Sequence, residues 1–381
     1  MNPPSRCQVP SLGQIATHSL CLAIFRANVR WRRLSDVTFE LRRKIIEWKL
    51  PLHQKQAIFD GLGEAFRELQ RWGEKHFYMF TDPKPHVKKG PQRVHRGEHL
   101  RLFYDAIVWK PMRYHIDDVE TARNIIKNQC RDWPLMKFQF ACCYAMVDLL
   151  EDRYEFDKIR RRTFKKQLDE HCVYEFWLRV LDDPEEWSRM FRPDRLLISQ
   201  YALLVFQFAI VHGYFQLVEF LWHRLTEQQQ EYIGFLSWKR ICFSGEHREM
   251  VRFLCEKLCK INATGMVRIT WDSFYDKIYK ALQGEELSIF DQKDNMRKLE
   301  CLLENWCPTL RSAMLAKENF RAITDTFVYN RPEAFALLLE YLDENQLKSA
   351  REFVDRVYDR KKTEMVKNLR QLVIRKQLTI D

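Results

Sequence analysis

At 381 residues, 46% hydrophobic and 30% charged, the chain is long enough to bury a substantial core, and its 11 Gly and 13 Pro are too few for a fibrous or low-complexity protein. The formal net charge is +11, and all of it belongs to residues 1–115, which hold 21 Lys and Arg against 10 Asp and Glu; the other residues balance at 42 of each. No apolar run reaches membrane-spanning length, the run 20–25 is too short for a secretory signal, and 11 Cys without framework spacing read as free thiols, so membrane-embedded and disulfide-rich secreted classes drop out.

The first ten residues, three of them Pro, are expected to be disordered. An amphipathic helix follows over 11–29, with Leu12, Ile15, Ala16, Leu20, Ala23 and Ile24 directed inward. The chain restarts at Leu34-Ser35-Asp36, with Asp36 as N-cap, and the next helix carries Phe39, Leu41, Ile45, Ile46 and Trp48 before Pro51. A third helix over 54–80 places Ile58, Phe59, Leu62, Phe66, Leu69, Trp72 and Phe77 at helical spacing. Together these form an N-terminal helical module over 11–80. Residues 81–98, with Pro83, Pro85, Gly90 and Pro91 among Lys84, Lys88 and Lys89, read as a linker.

From 99 to 381 the dominant signal is internal repetition. Phe208 pairs with Ile241, Ala209 with Cys242, Leu217 with Met250, Val218 with Val251, Phe220 with Phe253 and Leu221 with Leu254, each at a spacing of 33. A period of this size predicts stacked helix pairs, each burying its apolar face against its neighbours, and favours a binding scaffold over a catalytic pocket. Within a unit, Phe206, Phe208 and Ala209 belong to a first helix, His212-Gly213 breaks it, and Leu217, Val218, Phe220 and Leu221 form the face of a second. Phe-Gln-Phe-Ala at 138–141 returns at 206–209, after which Ala145 takes the glycine place and Leu149-Leu150 the aliphatic pair. Further second-helix faces are expected at Leu299, Cys301, Leu302 and Leu303, at Phe335, Leu337, Leu338 and Leu339, and at Met365, Val366 and Leu369. An insertion falls near 262–292. The fold class expected is all-α.

The order of small residue, glycine turn and paired aliphatics resembles the ankyrin repeat, with Ala209 and Ile210 at the two-alanine positions, Gly213-Tyr214 at the turn and Leu217-Val218 at the paired valines. The opening Thr-Pro-Leu-His of that family is replaced by Leu204, Val205, Phe206 and Gln207, so its hairpin fingers are expected to be missing; armadillo-, HEAT- or TPR-like stacks are the alternatives. The resemblance implies recognition of a protein partner by the concave face and the inter-repeat turns, around His212, Gly213 and Tyr214 and around Gly245, Glu246 and His247. The first two helices, 11–50, resemble a SOCS box: Ser11-Leu12, Ala16 and Leu20 satisfy its opening motif, although its Leu-Pro turn is absent at Val37-Thr38-Phe39-Glu40. That resemblance implies a substrate receptor docking elongin B/C and a cullin through Leu12, Ala16 and Leu20. The alternative is that these three residues pack the N-terminal helices together.

No phosphate-binding glycine loop, nucleophile elbow or H-E-x-x-H occurs, and no cofactor, metal site or enzymatic activity is expected. His86, His95 and His99 read as solvated linker histidines. Arg26, Arg30, Arg32, Arg33, Arg42, Arg43 and Lys44 with Trp31 admit a distant nucleic-acid reading, and the run 158–166 has the composition of a nuclear import signal. The location expected is cytoplasmic, with nuclear entry as the alternative, and no membrane is expected among the partners.

Overall fold

The computed structural model describes residues 11–29, 34–80, 99–111, 114–168, 171–244, 247–258, 268, 270–271, 275, 289–329, 331–361 and 364–378. The fold is all-α, and among the described residues the sole β-type pairing is an isolated antiparallel bridge between Trp109 and Ile116. The chain divides into two compact units, residues 1–186 and 187–381. The expected linker 81–98 and most of the insertion 262–292 lie outside the described residues, and the parting of the units falls instead at 186 and 187.

In the first unit, α1 (Leu12–Val29) and α2 (Leu34–Glu47) pack on α3 (Leu52–His76). The long helix α3 offers Gly61 and Ala65 where α1 comes close: a Cβ on Gly61 would lie 2.8 Å from the Cys21 sulfur and 2.3 Å from the Tyr114 hydroxyl. That approach fixes which side of α1 is buried. The inward residues are Cys21, Leu22, Phe25 and Val29, not the expected stripe from Leu12 through Ile24. In α2, Val37, Leu41 and Ile45 turn inward, whereas Phe39 and Ile46 stand in solvent.

Short 3-10 turns over Phe77–Phe80 and His99–Ala106 precede α4 (Asp118–Asn128), α5 (Pro134–Cys143), α6 (Val147–Leu150), α7 (Lys158–Gln167) and α8 (Cys172–Asp182). Asp117 caps α4 and Asp157 caps α7, each accepting a backbone N–H from the first turn. The Trp177 indole donates to the Cys142 carbonyl at 2.9 Å and ties α8 to α5.

In the second unit, the short α9 (Glu186–Met190) leads to α10 (Gln200–Val211), α11 (Phe215–Trp222), α12 (Glu227–Ser244) and α13 over 248–258. After these come α14 (Ile289–Asn305), α15 (Pro308–Val328), α16 (Pro332–Leu339), α17 (Glu344–Lys361) and α18 (Glu364–Leu378). The 33-residue pairing appears as matched burial: Leu217 with Met250, Val218 with Val251 and Leu221 with Leu254 all have no exposed surface. Full burial of an aliphatic side chain contributes about 1.5–3 kcal/mol, so each matched pair is a substantial share of its unit's stability. Consecutive second helices touch. The Phe215 and Trp222 rings of α11 meet Phe253 of α13 edge-on at 5.4 and 5.5 Å, and Arg252 of α13 donates to Asn305 of α14. Downstream, Leu299, Cys301, Leu302 and Leu303 are buried, as are Phe335, Leu338 and Leu339 and then Val366 and Leu369. Cys21, Cys130, Cys142, Cys143, Cys172, Cys255, Cys301 and Cys307 are free thiols.

Candidate functional site

The turns after α10 and α5 are built by one hydrogen-bond scheme. At the end of α10, His212 donates to Phe208 O, Gly213 to Ile210 O and Tyr214 to Ala209 O, and the next helix opens with Val218 donating to Tyr214 O. At the end of α5 the same bonds run from Tyr144 to Phe140, Ala145 to Cys142, Met146 to Ala141 and Leu150 to Met146. The bond spanning five residues is the Schellman closure of a helix C-terminus, which demands a left-handed residue in its middle. Gly213 supplies it with φ +70°, and Ala145, at the glycine place, adopts φ +47°. Arg331 donates to Thr326 across the same span at the end of α15, whereas at the end of α4 the bond from Cys130 to Ile125 forms with Gln129 in the right-handed region at φ −118°, so that turn is not a Schellman closure.

Successive turns are stacked. The His247 ring sits against the open face of Gly213, where a Cβ would come within 2.3 Å of Nδ1, and its Nε2 lies 3.2 Å from the Val211 carbonyl. His212 packs on Phe208 with ring centroids 4.2 Å apart. Of the six turn residues expected to meet a partner, His212 and His247 are partly exposed, Gly213 and Tyr214 are buried, and Gly245 and Glu246 lie outside the described residues. Tyr214 is fully enclosed, because the residue after the left-handed position is the one a Schellman turn folds inward. It shapes the turn and is not an accessible anchor.

The sequence reading missed the outer faces of the first helices. Helix α10 is apolar almost all round, a pattern proper to a helix covered on every side. Ala202, Val205, Phe206, Ala209 and Ile210 are indeed buried, yet Leu204 and Val211, on the opposite side, are each 48% exposed. On the neighbouring α12, Tyr232 and Leu236 are also exposed, one turn apart.

In the first unit a buried charged network joins α3 to α4 and the segment before it. Arg71 is bidentate to Asp118 at 2.7 and 3.2 Å and reaches Glu68 at 2.8 and 2.9 Å; Lys75 adds a 2.5 Å bond to Asp118. Glu68 further accepts from the Ile116 N–H at 2.9 Å and lies 2.8 Å from His115. Two cations face two carboxylates. Burial works against the charge on Asp118, but Arg71 and Lys75 overcome it and hold that carboxyl well below its ordinary range; Glu68 is lowered in the same way by His115 and Arg71. His76, wholly buried, is pushed down to about 3 by desolvation and by Lys75. The imidazole is therefore neutral. Its Nδ1 faces the Trp72 carbonyl at 2.7 Å, which can only accept, so the proton sits on Nδ1 and Nε2 accepts from the Tyr144 hydroxyl at 2.7 Å.

On α1, Leu12 is 84% exposed, and Ala16 and Leu20 are exposed one and two turns on, so the three share an outward stripe and do not pack the helices together. Arg30, Trp31, Arg32, Arg33, His86 and His95 lie outside the described residues, while Arg26, Arg42, Arg43 and Lys44 are solvent-facing. Among the described residues no group of three or more His, Cys, Asp or Glu is arranged to hold a metal ion, and no helix is long and apolar enough to cross a membrane. No family model, no curated protein and no solved structure matches this chain.

Proposed function

We propose that the chain is a non-enzymatic protein-binding scaffold, a divergent ankyrin-like stack of helix pairs that recognises a partner through the outer faces of its first helices and the turns beside them. The observation that carries the reading is the pair of exposed side chains Leu204 and Val211 on a helix whose other face is buried in the repeat core. An uncovered apolar face on a rigid element is the usual anchor region of an interface, and the partly exposed His212 and His247 border it at the turn. Recognition here is burial of aliphatic and aromatic surface with a polar rim. Hydrogen exchange of the full chain with a captured partner tests it: protection should concentrate in 200–212 and 227–238, and protection confined elsewhere would refute the site.

A second reading, a substrate receptor of an elongin–cullin ubiquitin ligase, is favoured by one specific observation. Leu12, Ala16 and Leu20 project from α1 instead of packing within the module, which is the geometry a docking helix needs: a protruding leucine with a small residue one turn on. Co-expression with elongin B and elongin C, comparing Leu12→Ala and Ala16→Glu, decides it.

A further inference from the structure

We infer that helix α7 and the turn before it form a peripheral docking ridge for an anionic lipid surface. The sequence Lys158-Ile159-Arg160-Arg161-Arg162-Thr163-Phe164-Lys165-Lys166 is helical, capped by Asp157 and anchored by Phe164, the one buried side chain of the helix. Its two central arginines are already engaged. Arg161 pairs with Asp182 at 2.9 Å and donates to the Phe156 carbonyl, and Arg160 donates to the Glu155 carbonyl at 2.7 Å. The acids nearby are engaged too: Glu155 pairs with Lys137 at 2.8 Å and Asp157 caps the helix.

Lys158, Arg162, Lys165 and Lys166 remain, all exposed and, among the described residues, without an ion-pair partner. At offsets of four, seven and eight from Lys158 they fall on one side of the helix, with Lys158, Arg162 and Lys166 about 6 Å apart in succession along it. Ile159, 74% exposed, lies on that side, and Tyr154, 95% exposed, stands on the turn leading into the helix. Solvent reaches most of the helix circumference, so it is a convex ridge and not the wall of a groove. A ridge with four free cations and two protruding apolar side chains fits a plane that is negative at its surface and apolar just beneath, because the cations are drawn to headgroups while Ile159 and Tyr154 enter the acyl boundary. A nucleic-acid backbone would use the cations and leave the isoleucine in water. Fixed in a capped helix, the run also cannot present itself as an extended import signal without unfolding. The expectation of no membrane partner came from the lack of a spanning segment, which does not bear on adsorption at a surface.

The test is co-sedimentation of the full chain with vesicles of phosphatidylcholine alone, or with phosphatidylserine as roughly a third of the lipid. Binding should require phosphatidylserine and weaken with salt. Arg162→Glu/Lys166→Glu should lower the partition coefficient about 25-fold or more, at about fivefold per cation removed. Ile159→Ser should lower it about tenfold. The control Arg42→Glu/Arg43→Glu, with the same change in net charge on α2, should stay within about threefold. All variants alter exposed side chains, and unchanged thermal melting verifies that they fold. Failure of the wild type to bind phosphatidylserine vesicles, or equal losses in the α7 and control doubles, would overturn the inference. So would a single-stranded oligoribonucleotide that binds with the same α7 sensitivity while vesicles do not.

Discussion

The imidazole of His247 occupies the space that a side chain on Gly213 would fill, although 34 residues separate them, so the turn of one helix pair is roofed by the turn of the next. Glycine is required there twice over, for its positive φ and for that contact. Gly213→Ala should destabilise the protein by at least about 2 kcal/mol, since an L-residue in the left-handed region costs about 1–2 kcal/mol before His247 is displaced. Urea or guanidinium unfolding measures it.

The equivalent position of the α5 turn should respond with the opposite sign. Ala145 already adopts φ +47°, so Ala145→Gly relieves strain while adding freedom to the unfolded chain. The net expected is between no change and about 1 kcal/mol of stabilisation. A loss as large as that of Gly213→Ala would show that the two turns are not equivalent.

The charged network should dominate the electrostatic stability of the first unit. Asp118→Asn leaves Arg71 and Lys75 in a nearly closed site short of a carboxylate, and removal of one partner from a buried pair typically costs about 3–5 kcal/mol. Arg123→Ala, which breaks the exposed pair with Glu120, should change stability by less than about 1 kcal/mol. Paired denaturation curves discriminate the two.

His76 sets a pH dependence whose sign follows from its lowered value. The unfolded chain binds a proton at this side chain near pH 6.5 and the folded chain only near 3, so between those limits the unfolded state holds more protons. Stability is therefore full above pH 6.5 and falls on acidification by up to about 1.4 kcal/mol per pH unit. The lowered carboxyls of Glu68 and Asp118 act in the same direction below about pH 4. Melting temperatures at pH 7, 6 and 5 should decline for the wild type, and the decline should flatten in His76→Gln.

Much of this architecture was legible in the sequence, and the illegible parts have common causes. The glycine turn, the alanine standing in its place at 145 and the matched Leu217/Met250 faces could be read because each is local or repeats at a fixed interval. The buried face of α1 could not, since apolar residues lie on most of its sides and the choice is made by Gly61 of α3, 40 positions beyond Cys21. The pairing of Arg71 with Asp118 joins residues 47 apart with no motif between them. At the candidate site, Tyr214 reads as an exposed aromatic on a turn, yet the Schellman geometry folds it inside. The exposure of Leu204 and Val211 was not legible, because a helix apolar on every side gives no sign of which side lacks a cover.

The most direct measurement is affinity capture with the full chain, comparing wild type with Leu204→Glu/Val211→Glu and using Arg42→Glu/Arg43→Glu as a surface control. The scaffold account predicts a set of protein partners lost from the α10 variant, kept by the control, and lost without any fall in melting temperature. An identical set of partners on a folded α10 variant would contradict it.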